Sequence, residues 1–127
     1  MGLLTKGDIL ASRLKSEVVE VPEWGGSVRV RELSAAQRDS WDSTFRFDAE
    51  GNATTESLRN MRARMCAISI VDESDMPIFS PVEADQLGQL SGVALHRVYA
   101  VCRRLNGMDD STAKNSEATP DGDSTSA

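Results

Sequence analysis

Residues 17–33 read Glu17-Val18-Val19-Glu20-Val21-Pro22-Glu23-Trp24-Gly25-Gly26-Ser27-Val28-Arg29-Val30-Arg31-Glu32-Leu33. Val28, Val30 and the Glu32 position alternate with Arg29 and Arg31, which predicts a strand with one dry face and one wet, basic face. The valine-rich run before it pairs with it as a hairpin. Pro22 and Gly25-Gly26 supply the turn, because glycine reaches positive φ without steric cost. Ser34 and Gln37 follow at once with the spacing of a capping box, opening a helix. A hairpin that feeds a capped helix makes the fold α+β. None of these residues is a catalyst; the chemistry is that of a surface that holds something.

Further helices follow from caps and stripes. Thr5 with Asp8 starts a short one, for which Ile9, Leu10 and Leu14 are the expected packing face. Trp41 and Phe45, four apart, share a face of the Ser34 helix. Residues 48–55 read as a loop turning at Gly51-Asn52. A third helix is expected from Thr54 or Thr55 to about residue 71, with the stripe Leu58, Met61, Met65 and Ile68 and with Arg59, Arg62 and Arg64 facing elsewhere. Asp72-Glu73-Ser74-Asp75 is a turn, and Met76–Phe79 a short extended piece. Ser80-Pro81-Val82-Glu83 starts a short helix that stops near Gly88. Ser91 caps the last helix, whose stripe is Ala94, Val98, Val101 and Leu105, and Asn106-Gly107 ends it. The expected architecture is mainly helical: four to five helices with one small N-terminal β-hairpin, in a domain over residues 1–107. Residues 108–127 hold almost no apolar side chain and cannot offset their ordering entropy, so a disordered acidic tail is expected there.

The 127 residues suffice for one modest core. The formal charge is −6, and residues 107–127 carry −4 of it. An acidic chain lacks the basic stripe that neutralises phosphates, which argues against a nucleic-acid partner. No apolar run approaches the ~20 residues that cross a membrane. Cys66 and Cys102 both fall inside helical apolar patterns. Two lone thiols without a signal peptide fit buried, reduced cysteines, able to meet only if their helices touch.

Catalytic and metal constellations are missing. His96, the only histidine, lies six residues from Cys102 and so on a different side of their helix, outside nucleophile–base reach. Zinc needs four ligands, and one His with two unpaired Cys does not supply them. Asp72, Glu73 and Asp75 open like a calcium loop, yet the glycine and glutamate that such a loop needs do not follow. Gly25-Gly26 lacks the Lys-Ser/Thr of a phosphate loop. Neither an enzyme nor a cofactor is expected.

Surface candidates remain. Arg29 and Arg31, with Arg59, Arg62 and Arg64, either form a basic patch for an acidic helix or this chain's own acidic tail, or are solvated faces paired with nearby carboxylates. Trp24 is either a lid over the core or a contact, since tryptophan is enriched at binding hot spots. The candidate partner-binding residues are Trp24, Arg29, Arg31, Trp41 and Phe45.

The run Val-Pro-Glu-Trp-Gly-Gly-Ser-Val-Arg-Val-Arg-Glu-Leu-Ser at 21–34 resembles the tail assembly chaperones of long-tailed (siphovirus-type) bacteriophages and prophages. The likeness continues at Arg62-Ala63-Arg64, Ser69-Ile70-Val71-Asp72-Glu73, Pro77-Ile78-Phe79-Ser80 and Arg103-Arg104-Leu105-Asn106-Gly107, colinear over roughly residues 3–119. It implies a protein of the bacterial host cytoplasm that binds the tape measure protein, a very long helical polypeptide that sets tail length. The chaperone keeps that chain soluble until tail tube subunits polymerise around it, and is not retained in the virion. A long amphipathic helix exposes an apolar stripe that aggregates unless covered, and methionine-bearing faces adapt to varied partners. No ATP site is present, so release is expected through competition by tube subunits. The resemblance also implies that a minority of ribosomes shift frame near the gene's end, appending a domain that recruits the tail tube protein. Lys114-Asn115 is the candidate position, because its codons could form an A-rich slippery run. Self-association is a further expectation. A second reading is a structural minor tail or connector protein retained in the virion; a third is an acidic regulator of a DNA-binding protein.

Overall fold

The computed structural model describes residues 2–108. Among these, strands β1 (Ser16–Val21), β2 (Gly26–Arg31) and β3 (Ile70–Val71) form an antiparallel sheet in that order. Six helical segments accompany it: α1 (Lys6–Leu10), α2 (Ala35–Asp42), α3 (Thr55–Leu58), α4 (Met61–Ser69), α5 (Ala84–Leu87) and α6 (Gly92–Leu105). The fold is α+β, mostly helical, as the sequence implies.

The hairpin sits where expected. Val19 pairs with Val28 and Val21 with Gly26. One turn of 3-10 helix, Pro22–Trp24, joins the strands and closes at Gly25 with φ 78°. Glu17, Val19, Val21, Val28 and Val30 share the inner face, while Val18, Arg29 and Arg31 lie on the outer one. Helix α6 packs across the inner face of β1 and β2, and α4 packs along α6. The centre of the core is Val21, Val30 and Ile70 from the sheet, Met65 and Cys66 from α4, and Val98 and Cys102 from α6. Two ion pairs flank the layer: Arg97 with Glu23 at 2.6 Å, and Arg104 with Glu17 at 2.8 Å.

Thr5 and Asp8 form the expected capping box, as do Ser34 and Gln37, and Ser91 caps α6 through the Ala94 N–H. Gly107, at φ 69°, terminates α6. The Gly107 N–H reaches the Arg104 carbonyl and the Met108 N–H that of Arg103, which satisfies the last turn. Met108, where the sequence reading begins the tail, packs half-buried against the core. The rest of that tail, with Lys114 and Asn115, lies outside the described residues.

Four expectations need correction. The helix read from Thr54 to about residue 71 is two helices, because Asn60 adopts φ 53° and breaks the chain between α3 and α4. Its last two residues are strand: Ile70 pairs with Val30 and Val71 with Arg29, so the hairpin becomes a three-stranded sheet. The open edge of β2 offered β-branched Ile70 and Val71 a ladder, which outweighed helix continuation. The break also turns the stripe: Leu58 is exposed, Met61 and Ile68 half-buried, and Ala63, Cys66 and Ala67 join Met65 in the core. Finally, α1 does not pack through Ile9 and Leu10, which stay 54% and 74% exposed. Five residues are too short to lay an apolar face on the body. Ser80 and Glu83 form the expected capping box, the Ser80 amide and hydroxyl both donating to the Glu83 carboxylate, and a 3-10 turn, Pro81–Glu83, leads into α5.

Candidate partner-binding groove

Helix α2 lies on the body through a single buried side chain, Trp41, 4% exposed. Phe45, just beyond the end of α2, meets the Trp41 ring edge-on with centroids 5.0 Å apart. The guanidinium of Arg64, from α4, lies 5.3 Å from the Trp41 ring and 5.6 Å from that of Phe45. Arg64 is held there by its own hydrogen bonds: Nη1 donates to Thr44 Oγ1 at 2.8 Å, Nε to the Arg59 carbonyl at 3.2 Å, and Nη2 to the Ser57 carbonyl. Cation–π attraction and the bond to Thr44 tie the end of α2 to α4 through Arg64.

This arrangement leaves a groove of about 380 Å³ beside Trp41, walled by Ala36, Ser40, Arg64, Ile68 and Pro81. Its surface is largely apolar. Ala36, Ser40 and Pro81 are exposed and Ile68 half-buried, so the groove opens to solvent. It has the shape and chemistry to receive apolar side chains from another polypeptide.

The sequence candidates divide between this groove and other places. Trp41 and Phe45 come together beneath Arg64. Trp24 does not join them: it sits half-buried in the hairpin turn, packed on the core, its indole N–H enclosed without a hydrogen-bond partner among the described residues. Arg29 and Arg31 face the turn after β3, where Arg29 Nε meets Asp75 Oδ1 at 2.9 Å and Arg31 Nη1 the Asp75 carbonyl at 3.1 Å. Asp75 has φ 66°, and the two arginines hold that turn against the sheet. Arg62 lies instead over Tyr99, 5.8 Å from its centroid. The five arginines therefore do not form one patch. What the sequence reading missed is the wall made by Ala36, Ser40 and Pro81. Small and polar residues give no periodic signal, and only the tertiary packing brings α2 and the turn at Pro81 to the same groove.

Cys66 and Cys102 are both buried, on the touching helices α4 and α6, and neither is in a disulfide. Hydrogen bonding with Cys102, then burial, pushes the Cys66 thiol well above the usual thiol range. Among the described residues no group of side chains could hold a metal ion, and no helix is long and apolar enough to cross a membrane.

The architecture recurs in a solved structure. The chain superimposes on the solved tail assembly chaperone of bacteriophage HK97 with a TM-score of 0.55. The match covers 72% of this chain and 85% of that one at 22% identity, a likeness of fold. Among curated proteins none matches. The sequence profile of the family described as phage tail assembly chaperone matches residues 10–118, nearly the whole chain. The chain therefore belongs to the phage tail assembly chaperone family.

Proposed function

We propose that this chaperone binds helical segments of the tape measure protein in the groove between α2 and α4. It keeps that protein soluble while tail tube subunits polymerise around it. The observation that carries the reading is the open apolar groove beside Trp41. An amphipathic helix seats its apolar stripe in such a groove through anchors at i, i+3, i+4 and i+7. Contacts of this size are moderate, so tube subunits can displace the chaperone without an energy cycle and leave it out of the virion. Recruitment of the tail tube protein by a longer, frameshifted form, with the shift at Lys114-Asn115, belongs to the same proposal, as does action in the host cytoplasm.

Co-expression of the tape measure protein with this chain tests the proposal. The tape measure protein should move to the soluble fraction and co-purify with the chaperone. Ser40→Trp, which fills the groove from an exposed position, should abolish both effects while the variant melts like wild type. Equal insolubility with and without the chaperone would reject the reading. Mass spectrometry of purified particles should find no copies, whereas stoichiometric copies would favour a connector retained in the virion.

A further inference from the structure

A second cavity continues the groove. It opens where α3 meets α4, with a volume of about 620 Å³, and Thr44 and Arg64 line both spaces. Arg46 and Arg59 also line it, so three arginines line one opening. None of the three has a carboxylate partner among the described residues. Arg46 donates to the carbonyls of Ser43 and Phe45, and Arg64 to two carbonyls and the Thr44 hydroxyl. Glu56 and Asp85 also line the opening: Asp85 accepts from the Asn60 amide at 2.7 Å, and neither carboxylate forms an ion pair with an arginine among the described residues. Elsewhere Arg29, Arg38, Arg97 and Arg104 each meet an Asp or Glu. In a chain of net charge −6, an opening lined by three arginines against two carboxylates carries the opposite net sign.

We propose that groove and cavity together receive an amphipathic helix whose apolar stripe is bordered by Asp and Glu, the stripe beside Trp41 and the carboxylates on Arg46, Arg59 and Arg64. The proposal rests on the partner-binding reading of the groove and adds the charge of the partner. The planar guanidinium fork matches a carboxylate in two parallel hydrogen bonds. A nucleic acid fits less well. It would need exposed rings on which bases stack, yet Trp41 is buried and Phe45 is turned edge-on to it. The acidic remainder of the chain would repel a phosphate backbone. One helix with both an apolar stripe and carboxylates satisfies both walls at once.

The test uses three dye-labelled helical peptides with one apolar stripe, flanked by Glu, Gln or Lys, titrated with the full chain at low salt. The Glu peptide should bind about tenfold tighter than the Gln peptide, with the Lys peptide weakest. The preference should shrink as salt rises. The double variant Arg46→Gln, Arg59→Gln, verified as folded by its melting curve, should lose the preference, whereas Arg97→Gln should keep it. Binding of all three peptides with equal affinity would overturn the charge inference and leave the groove reading standing. Binding of none would remove both. A Glu peptide excluded until salt is raised would mean that the chain's own acidic residues 109–127 hold the cavity, which overturns the proposal. So would displacement of the Glu peptide by a short oligothymidylate at lower concentration than by unlabelled peptide.

Discussion

The side chain of Asn106 ties the end of α6 to the entry of α2: its Oδ1 accepts the Leu33 N–H at 2.9 Å while its Nδ2 donates to the Cys102 carbonyl at 2.8 Å. Leu33 is buried, so its amide has no water to fall back on. The Asn106 carbonyl adds a contact from Arg38, Nη1 to O at 3.4 Å. Asn106→Ala should therefore destabilise the fold by about 1–3 kcal/mol, the penalty of an orphaned buried donor. Urea melts showing a loss below about 0.5 kcal/mol would mean that water replaces the amide.

Acid should loosen the hairpin turn from α6. The bond to Arg97 holds the Glu23 carboxyl at about 2, below its ordinary 4.5. A depressed folded value means that the pair's contribution is complete above the unfolded value and fades as pH falls from about 4.5 toward 2. The stability difference between wild type and Glu23→Gln should stay level from neutral pH to about 5 and then narrow. Carboxyl NMR that placed Glu23 among ordinary glutamates would contradict this.

A methyl group at Gly88 should strain the break between α3 and α4. A Cβ there would lie 2.6 Å from Asn60 Oδ1, and the Asn60 amide is tethered to Asp85. Gly88→Ala should cost about 1 kcal/mol through loss of that hydrogen bond. Asn60→Gly removes the obstructing side chain and accepts the positive φ, so the double variant should recover part of the loss. Additive melts would show that the two residues do not compete for space.

Met65→Ala should cost about 2–5 kcal/mol, because the side chain is fully enclosed between α4 and its neighbours. A melt that matched wild type would place Met65 outside the core.

The thiols of Cys66 and Cys102 should resist alkylation in the native protein and react fully in denaturant. Burial and the raised Cys66 value keep that thiol protonated. Labelling followed by mass spectrometry should show native rates about 10³-fold slower, set by opening of the core. Rapid native labelling of either cysteine would show that the α4–α6 contact opens locally.

Local rules sufficed for some of this molecule. The hairpin is written in its alternating valines and in the glycine that closes the turn. The helix starts at Thr5, Ser34 and Ser91 are written in side chains that satisfy backbone donors three residues on. These interactions span a few residues, so their chemistry is complete within the segment. The third strand, the break at Asn60 and the groove depended on contacts across the chain. Ile70 and Val71 are as apolar in a helix as in a strand, and only the unpaired edge of β2 decided between them. Arg64 carries no signal that distinguishes it from Arg62. The one reaches Trp41 and the other Tyr99 because the break at Asn60 sets the phase of α4. Periodicity shows which residues share a face of one element; which element that face meets is decided by the packing of the whole chain.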